Sequence, residues 1–279
     1  MRLTYSSDGA RLSFRDTGTG FPVVFLHPTP LDGQYWRPLI EILTGIRAIV
    51  PDFRGHGSSE LGARLPAGAF ARVADAPVLS MGQLASDVLA LLDHLELERA
   101  VFAGCSIGGY VLLELWRRAP ERMRGLCFVC SKPQPDVETN LVKRAATITE
   151  ARGGKTAALF EGFAHNLVSA ATRLNHPELV GELRAQMVLT EEAEIAVQAG
   201  LATRPDSVPT VASITVPVLA VAGADDTAVA PADMEAFCAA PGGCTYESIS
   251  DAGHFAAYEQ PQKVAALMNP WLETLKTSR

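Results

Sequence analysis

Arg99-Ala100-Val101-Phe102-Ala103-Gly104-Cys105-Ser106-Ile107-Gly108-Gly109-Tyr110 is the stretch whose reading decides the fold. Val101, Phe102 and Ala103 form a short apolar run that predicts a buried strand. From Tyr110 the pattern turns helical at once, through Val111, Leu112, Leu113, Leu115 and Trp116. Between the two lies Gly104-x-Ser106-x-Gly108. A sharp strand-to-helix turn gives that pattern its chemical meaning, because the serine is forced into a strained conformation with its hydroxyl standing clear. A Cβ at Gly104 or Gly108 would crowd the passage. Just past Ser106, the helix start supplies unpaired N–H groups for an oxyanion, that of Ile107 first.

Upstream, residues 3–5 and 11–15 alternate like two strands around Ser7-Asp8-Gly9. The apolar runs 22–26 and 48–50 read as strands buried on both faces. The first leads into His27-Pro28-Thr29-Pro30 and an expected helix over 35–43. The second ends in Asp52-Phe53-Arg54-Gly55-His56-Gly57-Ser58-Ser59. Residues 60–77, rich in Gly, Ala and Pro, predict a long loop. Ser80 with Gln83 predicts a capping box for a helix reaching His94. Downstream, Pro120 stops the central helix and 126–129 is another strand. Residues 132–212 show helical patterns only, over 140–152, 155–167, 178–189 and 191–202, with Thr139, Pro177 and Thr190 at helix starts. Strands are expected again at 216–222 and 246–249, and helices at 233–239 and 261–275. This alternation predicts an α/β fold, a mostly parallel sheet flanked by helices. The core would comprise 1–131 and 213–279, with 132–212 inserted as a helical cap.

The 279 residues suffice for one large domain or for a core with an inserted subdomain. With a net charge of −7 and no clustered basic run, nucleic acid is excluded as a partner. Neither a signal region nor an uncharged apolar stretch of spanning length occurs, so no membrane partner and a cytoplasmic location are expected. Five cysteines, an odd number and scattered, predict reduced thiols. Cys127 and Cys130, three apart on a strand, point to opposite faces and make a poor metal knuckle. No metal-ligand cluster or phosphate-cradling glycine loop is present, so no metal is expected.

In a parallel sheet the carboxyl ends of the strands converge on one rim. Four features end predicted strands there: the His27–Pro30 loop, Ser106, the Asp225-Asp226 pair and His254. A serine hydroxyl needs a base to take its proton, and the base needs an acceptor to fix its tautomer. Ser106, one of the two aspartates and His254 supply these parts in that chain order. Cys105 points elsewhere when Ser106 occupies the turn, and His27 and His56 read as structural. In the loop after the first buried strand, Pro28 and Pro30 have no N–H, which leaves Thr29 as a second oxyanion donor.

Taken together, His27-Pro28-Thr29-Pro30, Asp52 to Ser59, Gly104 to Gly109, Gly223-Ala224-Asp225-Asp226 and Gly253-His254 resemble the α/β-hydrolase fold family along essentially the whole chain. Within it the chain is most similar to the 3-oxoadipate enol-lactonase and carboxylesterase-like branch; Pro28 stands where relatives most often have glycine, and enol-lactonases resemble the chain there. The resemblance implies a cofactor-free serine hydrolase with a helical cap, acting on a small-molecule ester or lactone. The family spacing after Gly223 singles out Asp226. Unlike the cap expected of enol-lactonases, 132–212 holds no tryptophan, and its eight Lys/Arg against ten Asp/Glu predict no dedicated anion pocket. C–C bond hydrolase, amidase and perhydrolase chemistry on the same triad stay open, as do a triad-retaining ligand sensor and a homodimer.

Overall fold

Apolar runs without alternation build the centre of the sheet, because each strand there is covered on both faces. A computed structural model describes residues 2–62, 65–70 and 73–277. Its strands are β1 (Arg2–Ser7), β2 (Ala10–Thr17), β3 (Phe21–Leu26), β4 (Ile46–Pro51), β5 (Ala67–Phe70), β6 (Val73–Pro77), β7 (Ala100–Cys105), β8 (Met123–Val129), β9 (Val218–Gly223) and β10 (Cys244–Ile249). Eight of them form one sheet in the order β1-β2-β4-β3-β7-β8-β9-β10. From β4 to β10 neighbours run parallel, while β1 and β2 form an antiparallel edge hairpin. That hairpin turns at Asp8 and Gly9, both at positive φ, 46° and 74°.

The expected loop at 60–77 is instead partly ordered, since β5 and β6 pair as a second, antiparallel hairpin. Val73 and Ala76 bury their side chains with Ile148, Ala151, Ile195 and Ala199. Those partners are distant in sequence, so no local period announces the hairpin. The helix expected at 35–43 is a 3-10 turn, Gly33–Trp36, followed by the single-turn α1 (Arg37–Ile40). Tyr35 and Trp36 are fully buried there, and that packing decides the local geometry.

Helices α2 (Met81–His94) and α3 (Ile107–Arg118) pack against each other, α3 also against β7, β3 and β8. Ser80 caps α2 by accepting the Gln83 N–H, but the Gln83 side chain reaches forward to Asp87, so the box is half formed. Between β8 and β9 lie α4 (Glu138–Arg152), α5 (Thr156–Asn166), α6 (Ala170–Asn175), α7 (Pro177–Gln186), α8 (Glu191–Ala202) and α9 (Val208–Val211). The short α6 and α9 carry too few residues to show a period. Thr190 caps α8 and Pro177 opens α7, whereas Thr139 lies inside α4, whose cap position falls on Val137. After β9, the helix expected at 233–239 divides into α10 (Pro231–Met234) and a 3-10 turn, Glu235–Ala239. The chain closes with α11 (Ala256–Glu259) and α12 (Pro261–Thr277).

Cys105, Cys127 and Cys130 are buried free thiols, but Cys238 and Cys244 form a disulfide, which corrects the expectation of five reduced cysteines. The chain reverses through Pro241-Gly242-Gly243 and brings the two Cα atoms to 4.9 Å. Sequence spacing alone carries no sign of that reversal. Among the described residues, no helix is long and apolar enough to cross a membrane.

Candidate active site

Ser106 joins β7 to α3 at φ 52° and ψ −116°, a backbone region that L residues rarely occupy. Its N–H donates to the Val129 carbonyl at 3.0 Å, and the Ser131 hydroxyl donates to its carbonyl at 3.0 Å. A Cβ on Gly104 would stand 2.5 Å from the Gly108 carbonyl carbon, and one on Gly108 would stand 2.2 Å from the Leu26 carbonyl oxygen. The close approach that the two glycines permit is therefore present. Ser131, which the sequence did not single out, follows β8 and meets Ser106 only in three dimensions.

His254 Nδ1–H donates to Asp226 Oδ2 at 2.8 Å. A carboxylate can only accept, so a proton sits on Nδ1, and in the neutral imidazole Nε2 is the nitrogen with the free lone pair. The other oxygen, Asp226 Oδ1, accepts the N–H groups of Ala228 and Val229 at 2.8 and 3.0 Å. Both side chains are buried. Of the two neighbouring aspartates, Asp226 is the one bonded to His254, and Asp225 is exposed.

The loop carrying His254 is tied down from both sides. The His254 N–H donates to the Leu167 carbonyl at 2.7 Å, and the Gly253 N–H donates to Glu259 Oε1 at 2.9 Å. Glu259 Oε2 accepts the Ser169 N–H at 2.8 Å and the Thr172 hydroxyl at 2.6 Å. Glu259 is itself buried, so one carboxylate joins this loop to the start of α6. In the sequence it reads as an ordinary helix acid; only burial reveals its task.

Thr29 sits opposite, in the loop after β3, with a cis bond to Pro30. Its hydroxyl donates to His56 Nε2 at 2.9 Å, and His56 Nδ1–H donates to the Arg54 carbonyl at 3.0 Å. His27 Nδ1–H donates to the Pro28 carbonyl at 3.0 Å, while its Nε2 accepts the Phe53 N–H at 2.8 Å. Burial pushes His27 down to about 4. Burial and then the charge of His27 push His56 down to about 3. Both rings are neutral braces at neutral pH, the structural part read for them. Among the described residues, neither the Thr29 nor the Ile107 N–H has a protein acceptor.

Thr29, Ser106 and His254 line one cavity of about 280 Å³. Pro30, Phe163, Leu167, Leu201 and Val229 give it apolar wall, and Tyr110 also lines it. Tyr35 and Trp36 lie in the core instead. Cys105 is buried, takes a hydrogen bond from the Tyr35 hydroxyl at 3.2 Å, and burial holds its thiol far above its ordinary pKa. It is unsuited to attack at neutral pH.

The remaining wall is charged. Lys132, Lys143 and Arg144 line the cavity with a single carboxylate, Asp136. The lining carries three cations and one carboxylate, a balance that the average over 132–212 hides because it does not say which side chains turn inward. Asp136 bonds Arg144 and lies 2.7 Å from Arg204; burial raises its pKa, but the two guanidinium groups outweigh burial and hold it below the ordinary value. Arg144 also donates to Gln198 Oε1 at 2.9 Å, and Gln198 Nε2 donates to Glu194 Oε1 at 2.9 Å. Burial pushes the Glu194 carboxyl up to about 7. Among the described residues, no group of three or more His, Cys, Asp or Glu could hold a metal ion.

A family model described as the alpha/beta hydrolase fold matches residues 22–261. The 3-oxoadipate enol-lactonase 2 of Acinetobacter baylyi is 29% identical over 221 residues, 76% of this chain and 73% of that protein. The non-heme chloroperoxidase of Streptomyces lividans is 33% identical over 147 residues, 50% of this chain and 48% of that protein. Among solved structures, a thermophilic esterase from Thermogutta terrifontis superposes with a TM-score of 0.88 at 30% identity, covering 99% of this chain and 100% of that one.

Proposed function

The chain belongs to the α/β-hydrolase fold family, and from that premise we propose that it cleaves small carboxylic esters or lactones, without a cofactor, through an acyl-enzyme on Ser106. The observation that carries this reading is the Asp226–His254 hydrogen bond at 2.8 Å beside a cavity shared with the elbow serine. His254 Nε2 takes the Ser106 proton as Oγ attacks the carbonyl carbon. The N–H groups of Thr29 and Ile107 hold the resulting oxyanion. Collapse expels the alcohol, protonated by His254; from a lactone the expelled hydroxyl stays on the acyl chain. Water, deprotonated by His254, then attacks the acyl carbon and frees Ser106. Asp226 keeps the imidazole in the required tautomer and stabilises its charged form. Residues 132–212 act as the cap that selects the substrate.

A fluorophosphonate is expected to label Ser106 stoichiometrically. Ser106→Ala is expected to lower ester turnover by on the order of 10⁴ or more, while Cys105→Ala keeps most of it. Label on Cys105, or hydrolysis surviving in Ser106→Ala, would sink the proposal. The chloroperoxidase relative favours one second reading. Hydrogen peroxide in place of water would attack the same acyl-enzyme and release a peracid with free Ser106. Peracid formation from a carboxylic acid and peroxide, compared with ester hydrolysis at equal acyl length, separates the two.

A further inference from the structure

The peptide that carries His254 leans on the turn between α5 and α6. Asp251, three residues earlier, stands at φ 60°, a conformation that a non-glycine residue keeps only where its surroundings impose it. A Cβ on Gly253 would stand 2.5 Å from the Leu167 carbonyl oxygen and 2.7 Å from the Ser169 nitrogen, so chain rests directly on chain. The His254 N–H donates to that Leu167 carbonyl, and the Ser169 hydroxyl donates to the Asp251 carbonyl at 3.1 Å. The same turn reaches the loop of Asp226, because the Thr227 hydroxyl donates to the Asn166 carbonyl at 3.2 Å. Its Leu167 side chain lines the cavity.

Glu259 closes this arrangement. One of its oxygens takes the Gly253 N–H, and the other takes the Ser169 N–H and the Thr172 hydroxyl. These partners are all uncharged, and among the described residues no cation pairs with the carboxylate. Taking a charge out of water without a counter-charge is costly, and an apolar side chain could fill the same volume without that cost. Such departures from economical packing are expected where the geometry serves a reaction.

We infer that Glu259 is a positioning residue, which holds the Gly253–His254 peptide so that the imidazole meets Ser106, and which does so only with the turn at 166–172 in place. This rests on the serine-hydrolase reading above and adds to it a control over the base. Asp226 fixes the ring through Nδ1. Glu259 fixes the backbone from which the ring hangs. A ring of the right tautomer on a displaced backbone does not reach the serine hydroxyl, and a misplacement of about 1 Å costs on the order of 10² in rate.

The test is Glu259→Gln. An amide oxygen can serve only one of the two sides, so whichever way the amide turns, its NH2 faces a backbone N–H. With p-nitrophenyl butyrate, kcat is expected to fall by about tenfold to 10²-fold while KM stays within about twofold. In the resting protein, the proton NMR signal of His254 Nδ1–H should shift or broaden, a change that needs no turnover. Thr172→Val keeps both N–H contacts and removes only the hydroxyl; kcat should fall by about threefold, and the double variant should lose less than the product of the single losses. An unchanged kcat in Glu259→Gln, an unchanged Nδ1–H signal or a rise in KM alone would each overturn the inference, whatever the melting temperature. Losses that simply multiply would overturn the dependence on the turn at 166–172. Should Glu259→Gln not fold, Thr172→Val decides, and an unchanged kcat there overturns the inference. Failure of the serine-hydrolase reading itself would show differently, as absence of fluorophosphonate label on Ser106 in the unaltered protein.

Discussion

The strand-end loops and the helices α4, α5 and α8 face the same cavity but are held in different ways. In the loops, backbone meets backbone: Gly108 lies against Leu26, and a Cβ on Gly223 would come within 2.0 Å of the Gly253 carbonyl oxygen. Uncharged imidazoles, His27 and His56, finish the bracing. The helical wall relies on side chains instead, in a run from Arg204 through Asp136, Arg144 and Gln198 to Glu194. Chemistry at the serine tolerates little displacement, which suits contacts that a side chain cannot loosen. Contacts of that kind can be altered one side chain at a time.

The contrast is tested most severely at Asp226. Asp226→Asn places a donor where His254 needs an acceptor, and turnover is expected to fall by on the order of 10⁴. Asp225→Asn, at an exposed carboxylate, should cost less than about threefold, within the range of surface changes. Steady-state kinetics of the two variants decide it, and comparable losses would remove Asp226 from its role. Next comes Thr29. If the loop works through its backbone, Thr29→Pro lowers turnover by about 10² to 10³ in a protein of unchanged melting temperature. Thr29→Ala then costs only a few-fold. A large loss in Thr29→Ala would mean that the Thr29 hydroxyl, bonded to His56, is needed as well as the backbone.

The smallest expected effect concerns pH, where the two regions respond with opposite sign. An unfolded chain releases the Glu194 proton near 4.5, whereas the folded protein keeps it to about 7. Between those values the native state binds the extra proton. Its stabilisation is complete below 4.5 and is lost as pH rises through 7, by about 3 kcal/mol at most. His27 behaves inversely: it protonates near 6.5 when unfolded and only near 4 when folded. Its contribution is present above 6.5 and is lost as pH falls towards 4. Urea melts at pH 5 and pH 7.5 should show that Glu194→Gln flattens the loss towards neutral pH while the acid limb persists. An unchanged slope in Glu194→Gln would place the pH dependence elsewhere.

How much of this was legible in the sequence follows from the same division. The elbow at Ser106, the buried strands and the pairing of an aspartate with His254 depend on short motifs whose residues are local or sit at strand ends. Glycine at Gly104 and Gly108 announces a close approach before the neighbour is known. The hairpin at 67–77 and the two-turn form of 33–40 were missed because distant packing overrides local preference there. The charges that line the cavity were hidden for a related reason. Lys143 and Arg144 look like ordinary helix-surface residues until burial of Ile148 and Ala151 fixes which way α4 faces. The disulfide between Cys238 and Cys244 rests on a chain reversal that no spacing rule records.

Glu259 has a consequence for anyone who would exchange parts between relatives. Its carboxylate is shared between the loop of His254 and the Ser169–Thr172 turn, so the helical stretch from α4 to α9 is not cleanly separable from the rest of the chain. A transplanted helical segment must bring its own N–H and hydroxyl to that point. Without them, the recipient scaffold keeps a buried anion with half its partners gone, at a cost of several kcal/mol. Chimeras that match the segment ends but not this contact should therefore fail at the histidine, far from the junctions where the graft was made.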